Sequence, residues 1–159
     1  MTMTTQDTQD NDAPLSRAEW MTLLAQSPLD ALEQHWQAVG QPQFQWIRRP
    51  EQGAVMVRGR ASGNGALFNL GEMTVTRCAL QIDTGEIGIA YLMGRSKRHA
   101  ALAALFDCLM QREGRSGGPV AERLGSLARA AARRREDVMR DTASSKVEFF
   151  MTSDGTTDQ

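Results

Sequence analysis

The stretch from Met73 to Glu113, MTVTRCALQIDTGEIGIAYLMGRSKRHAALAALFDCLMQRE, sets the architecture, because its apolar periodicity changes partway along. Met73 to Ile82 alternates Thr74, Thr76, Cys78, Leu80 and Ile82 against Met73, Val75, Arg77, Ala79 and Gln81, the period of two that a strand requires. Asp83-Thr84-Gly85 reads as a turn, and Glu86 to Leu92 returns as a strand with Ile87, Ile89 and Tyr91 on one face. From Lys97 to Glu113 the spacing becomes helical. Leu102, Leu105, Phe106 and Leu109 fall at i, i+3, i+4 and i+7, while Ala100, Ala101 and Ala104 let the helix approach a sheet closely. Close hairpins followed by a helix imply an antiparallel sheet in an α+β fold.

Upstream, Ser16-x-x-Glu19 has the form of a capping box, with Leu15 and Trp20 placed as a hydrophobic staple around it. This first helix is expected to bury Trp20, Leu23 and Leu24. Ser27-Pro28 should end it and open a second helix, with serine as N-cap and proline at the first helical position. Leu29, Leu32, Trp36 and Val39 form that helix's apolar stripe, and Gly40 with Pro42 stops it. Phe44 to Ile47 reads as a strand, Pro50 to Gly53 as a turn, and Ala54 to Gly59 as a return strand. Ser62-Gly63-Asn64-Gly65 is the strongest turn signal, and Leu67 to Leu70 suggests one further short strand.

Downstream, Gly114 ends the central helix, a loop spans Arg115 to Gly118, and Pro119 opens a last helix to about Thr142, with Val120, Leu124, Leu127, Ala131 and Val138 facing inward. Val147-Glu148-Phe149-Phe150 is a short β-like run, which could join this chain's own sheet or that of another subunit. The expected organisation is therefore a polar tail over 1–14, a single α+β domain over 15–151 and a second tail over 152–159. That domain comprises two N-terminal helices, an antiparallel sheet of about four to five strands, two C-terminal helices and a final short strand.

Composition narrows the function. The 159 residues are 41% hydrophobic, carry a net charge of −1 and contain two cysteines and two histidines. No apolar run approaches the ~20 residues of a membrane span, no secretory leader pattern opens the chain, and a cytoplasmic location is expected. The near-neutral charge offers no bulk attraction for nucleic acid. Cys78 and Cys108 sit in apolar-periodic segments as buried thiols, and with His35 and His99 far apart they supply neither an iron–sulfur cluster nor a metal centre. No metal site or cofactor is expected in this chain.

The densest polar cluster is Gly94-Arg95-Ser96-Lys97-Arg98-His99. Ser96 stands as N-cap with cations around a helix start, where unpaired N–H groups favour an anion. It reads either as a phosphate or acidic-partner contact or as an ordinary capped helix, and it lacks P-loop spacing. Arg77, alternating with apolar residues in a strand, either aims at an anion or pairs with a charge of the sheet. Arg133-Arg134-Arg135 lies in a helix where Arg129, Arg133 and Arg140 oppose the apolar stripe among acids, the pattern of a solvated face, with Arg135 nearer the apolar side. No nucleophile–base pair stands at a recognisable spacing.

Arg17-x-x-Trp20-Met21 with Leu24-Ala25 resembles the opening helix of the PhnG family, subunits of the carbon–phosphorus lyase core complex. Gly71, Thr76-Arg77, Gly85, Gly88, Gly94-Arg95, Lys97, His99-Ala100, Asp107 and Leu109-Met110-Gln111 are similar to that family in order and spacing, as is the closing Val147-Glu148-Phe149-Phe150. The resemblance covers roughly Ser16 to Met151. The Arg115–Gly118 loop and the longer acidic tail depart from it.

The resemblance implies phosphonate breakdown in a complex with PhnH, PhnI and PhnJ partners. With PhnH, PhnI and the ATP-binding PhnL, such chains are implicated in transferring the ribose triphosphate of MgATP, a substrate of the complex, to methylphosphonate with release of adenine. The nucleosidase-like step is attributed to PhnI, and a later subunit breaks the carbon–phosphorus bond by radical chemistry on an iron–sulfur cluster. An accessory subunit of an obligate hetero-oligomer is therefore expected. Arg77, Gly94, Arg95, Ser96, Lys97 and His99 are its candidate contacts to a partner or phosphate, and Val147, Phe149 and Phe150 a candidate partner strand. The alternatives are a free-standing enzyme acting on a phosphorylated small molecule near Ser96, and a nucleic-acid-binding module using the Arg133–Arg135 face.

Overall fold

A computed structural model describes residues 15–60, 65–113 and 117–144. Its elements run α1 (Arg17–Gln26), α2 (Leu29–Gln37), β1 (Phe44–Arg60), β2 (Leu67–Ile82), β3 (Ile87–Met93), α3 (Lys97–Glu113) and α4 (Pro119–Ser144). The strands form one antiparallel sheet in the order β1-β2-β3, so the fold is α+β as its periodicity implies.

Three strands replace the expected four to five, because continuous strands cross both the turn expected at Pro50 to Gly53 and the gap left between Leu70 and Met73. Pro50 does not turn the chain. It lies where the register slips between Arg48, opposite Ala79, and Glu51, opposite Arg77. β1 is an edge strand, and such an irregularity tolerates a residue with no N–H to donate. Gly71 likewise lies within continuous β2, opposite Val57. Arg60 and Leu67 face each other at the end of the pair, on either side of the expected turn; Ser62 to Asn64 lie outside the described residues. So does the expected final strand, Val147, Glu148, Phe149 and Phe150, together with both tails.

The α1 capping box forms as the sequence implies. The Ser16 side chain accepts from the Glu19 N–H, while the Glu19 carboxylate accepts from the Ser16 N–H at 2.7 Å. Trp20 and Leu24 are buried, and Leu15 and Leu23 pack partly buried against the same core. Ser27 is not the N-cap of α2. Its hydroxyl and N–H both donate back to the Leu23 carbonyl, at 2.7 and 2.9 Å, which makes it the C-cap of α1 and leaves Pro28 before the first turn of α2.

The centre of the molecule is α3, in which every residue from Ala100 to Met110 is buried. The sheet covers one side, and α1, α2 and α4 cover the others. Trp36 of α2 meets Phe106 edge-on, with ring centroids 6.1 Å apart. Each such fully buried large side chain contributes about 2–3 kcal/mol by leaving water. The sheet presents Thr76, Cys78, Leu80 and Ile82 of β2 and Ala90 and Leu92 of β3 to this core, all buried.

The Glu113 carboxylate accepts from the Val120 and Ala121 N–H groups at 3.1–3.2 Å, capping α4 across the loop. Val120, Leu124 and Leu127 are buried, but Val138 is exposed rather than inward, because α4 outruns the core that its first half covers. No helix among the described residues is long and apolar enough to cross a membrane.

Helices lie on one face of the sheet. Its opposite face carries Val75, Arg77, Ala79 and Gln81 on β2, opposite Met93, Tyr91, Ile89 and Ile87 on β3. β3 pairs with β2 no further than Val75, so Ala54–Arg60 and Leu67–Thr74 continue as a two-stranded ribbon of about 25 Å.

Candidate functional site

The end of β3 bends into α3 at Gly94, whose φ of +96° belongs to the left-handed region that glycine occupies without strain. Two bonds pin this turn to β2: the Gly94 N–H donates to the Thr74 carbonyl at 2.8 Å, and the buried Thr76 hydroxyl donates to the Gly94 carbonyl at 2.7 Å. Gln52 of β1 reaches across to donate its side-chain amide to the Arg95 carbonyl at 2.7 Å. Ser96 is the N-cap of α3, its hydroxyl accepting from the His99 N–H at 3.1 Å. Gly94, Arg95 and Ser96 are thus assembled with Thr76 and Gln52.

The side chains expected to meet an anion here divide. His99 Nε2 lies 2.8 Å from the Leu24 carbonyl, so it carries the proton and ties the start of α3 to α1. Arg98 pairs with Glu33 of α2 at 3.2 Å. Arg95 and Lys97 are exposed. Arg77 belongs elsewhere: its neighbour Thr76 points under α3, so Arg77 points to the helix-free face, where its Nε lies 2.7 Å from Glu51 Oε1. Arg48 shares the same oxygen at 2.7 Å, and the two guanidinium groups hold the exposed Glu51 carboxyl below its ordinary range. Of the two sequence readings of Arg77, the geometry forms the ion pair.

A second polar centre joins residues that sequence spacing does not connect. Asp107, in the middle of α3, is fully buried, and its carboxylate accepts four hydrogen bonds. Oδ1 takes Arg17 Nε at 3.1 Å and Trp20 Nε1 at 3.0 Å; Oδ2 takes the second Arg17 nitrogen at 2.8 Å and the Ile89 N–H at 3.0 Å. Bonding to Asp107 pushes the Arg17 guanidinium above its ordinary value. A buried carboxylate persists only when paired and hydrogen-bonded in this way. Arg17 also donates to the Ile87 carbonyl at 3.3 Å, and Gln111 donates to the same oxygen at 2.8 Å. The centre therefore locks α1, α3 and the outer edge of β3 together. One signal in the sequence marks it: Asp107 is the one charged residue in the otherwise apolar run Ala100–Met110 of α3.

The remaining candidate groups are inert by position. Cys78 and Cys108 are buried, and burial pushes each thiol up to about 11. His35 is half-buried on α2 and held below its ordinary value by burial and then by Arg123. On α4, Arg129, Arg133 and Arg140 are exposed, Arg140 beside Asp137 at 3.4 Å, while Arg135 turns inward to donate to the Gln26 side chain. A cleft of about 240 Å³ lies between α1 and β3, lined by Met21, Thr22, Gln26 and Tyr91 among others, and among the described residues no charged side chain lines it.

Comparison with known proteins agrees with the sequence resemblance. A family model described as phosphonate metabolism protein PhnG matches residues 15–154. A relative from Rhizobium meliloti (strain 1021), named alpha-D-ribose 1-methylphosphonate 5-triphosphate synthase subunit PhnG, is 39% identical over 146 residues, which is 90% of this chain and 92% of that protein.

Proposed function

The chain belongs to the PhnG family of phosphonate metabolism proteins, and from that premise we propose that it is an accessory subunit of the synthase for which its relative is named. In this reading it works in the cytoplasm with PhnH-, PhnI- and PhnJ-type subunits and a PhnL-type ATP-binding protein. The assembly transfers the ribose triphosphate of MgATP to methylphosphonate and releases adenine. This chain holds no cofactor of its own and supplies surface and rigidity rather than reacting groups.

The observation that carries the proposal is the use to which the polar side chains are put. His99 is bound to the Leu24 carbonyl, Arg77 to Glu51 and Asp107 to Arg17, Trp20 and the Ile89 N–H. General acid–base work needs a group that can reach a substrate proton, and each of these already has a partner within the fold. Arg95 and Lys97, exposed beside the Ser96 cap, remain as contacts to a partner or to a phosphate that a partner holds.

Copurification tests this. Tagged chain co-expressed with the PhnI- and PhnH-type subunits is expected to recover both in stoichiometric amounts, and the chain alone to turn over no ATP with methylphosphonate. A well-folded preparation that recovers neither subunit, or one that performs the transfer unaided, refutes the proposal.

A further inference from the structure

We propose that the helix-free face of the sheet, continued along the β1–β2 ribbon, is the docking surface for a different protein whose contact face is apolar at its centre and acidic at its margin. The inference rests on the chain's being a subunit, and it assigns which surface meets the partner.

The face is built by register. Ile87, Ile89, Tyr91 and Met93 lie on β3 opposite Gln81, Ala79, Arg77 and Val75, on the side away from α3. In the ribbon, Val55 faces Met73 and Gly59 faces Phe68 on the same side, and Leu70 folds its side chain over Gly59. Phe68 and Leu70 on the ribbon and Ile87, Ile89, Tyr91 and Met93 on β3 are each between 43% and 73% exposed, two apolar patches joined through the partly exposed Val55 and Met73 beside the buried Val75. A contiguous apolar surface of this kind marks an interaction site rather than ordinary scatter. The ribbon adds a second argument. Two strands alone are marginally stable in water, and among the described residues neither β3 nor a buried residue of the ribbon itself supports Val55–Arg60 or Leu67–Met73. A covering partner supplies the missing layer.

Charge selects the occupant. β1 and β2 together carry five arginines against Glu51 and Glu72, a net of +3 in a chain whose total is −1; on this face Arg48 and Arg77 share the Glu51 carboxylate, and Arg58 and Arg60, alternating with Val57 and Gly59, flank it from the ribbon's other side. A second copy would set these basic strands against their own kind, whereas an acid-rimmed partner is attracted and held in register. Nucleic acid fits less well, because hydrocarbon rather than cations occupies the centre of the face.

The test uses the complex with PhnI- and PhnH-type subunits. Ile89→Lys with Tyr91→Lys, and separately Phe68→Lys with Leu70→Lys, are expected to lower recovery of the partner subunits at least tenfold. The same chains should keep their circular dichroism and thermal midpoint, and Arg133→Glu with Arg140→Glu on α4 should recover normal amounts. Hydrogen exchange on the unaltered protein is the second readout. The amides of Leu67 to Met73 and of Tyr91 are expected to exchange at least tenfold more slowly in the complex than in the isolated chain. Undiminished recovery by the face variants together with unchanged exchange overturns the docking surface and leaves the subunit reading intact. If the unaltered chain recovers no subunit, both fall. A dimer of the isolated chain that Tyr91→Lys splits, or duplex DNA that slows those amides, overturns the choice of partner.

Discussion

A Cβ atom placed on Gly88 would lie 1.9 Å from the carbonyl oxygen of Ala104 and 2.7 Å from Cys108 Sγ, so β3 and α3 touch backbone to backbone. Both atoms belong to a helix enclosed on all sides, which leaves it nowhere to retreat. Gly88→Ala is therefore expected to cost about 3 kcal/mol, the upper range for overpacking, read as a lower urea midpoint. Gly53→Ala, with open space around its new methyl group, should stay within about 0.5 kcal/mol. Equal midpoints for the two variants would contradict the packing described.

The Asp107 centre makes a second prediction. Arg17→Met removes two charge-assisted bonds and strands a buried carboxylate, while Trp20 and the Ile89 N–H still hold it. A loss of about 2–3 kcal/mol is expected. Asp107→Asn turns one accepting oxygen into a donor facing donors, and is expected to cost at least as much. Pairing the two changes should recover part of the loss, because each partner is left unmatched only by the other's presence. Strict additivity in a double-mutant cycle would show that the two do not interact.

His35 gives the fold a pH dependence of known sign. Burial, then Arg123, lowers its value in the folded chain from the ordinary 6.5. The unfolded chain thus binds the proton more readily, and the resulting loss of stability begins as pH falls through 6.5 and is complete below the depressed folded value. Above that window the imidazole is neutral in both states and contributes nothing. Between about pH 7.5 and about pH 5.5 the thermal midpoint of the natural chain should drop further than that of His35→Gln. Parallel curves would place His35 in an unperturbed setting.

With both thiols raised to about 11, roughly a thousandth of either is ionised near pH 8. Iodoacetamide should leave Cys78 and Cys108 unmodified in the folded protein and label both in denaturant, as mass spectrometry would register. Rapid labelling of either before unfolding would mean that the core opens at α3.

Much of this was legible because it is local. The Ser16–Glu19 capping box, the span Lys97–Glu113 and the Asp83–Gly85 turn each follow from residues a few positions apart. Pro50 and the gap between Leu70 and Met73 mislead for the opposite reason: the signals are local, but the outcome depends on a strand many residues away that carries the chain past them. Ser27 can cap backward or forward with equal chemistry, and only the packed geometry chooses Leu23. Val138 has the right spacing for the α4 stripe, yet α4 extends beyond anything to bury it against. Of the candidate site, Ser96 was readable as a cap and Arg77 only as a choice between two partners. Asp107 was visible as an oddity without a role, since Arg17, Trp20 and Ile89 come from α1 and β3.

The bonds from Arg17 and Gln111 to the Ile87 carbonyl, with that from the Ile89 N–H to Asp107, have one more consequence. An open sheet margin tends to recruit further strands from other copies, and repeated recruitment ends in filaments. Here the vacant hydrogen-bonding positions at the start of β3 are taken by side chains of the same molecule. A newly made chain can then wait for its assembly without polymerising through that margin.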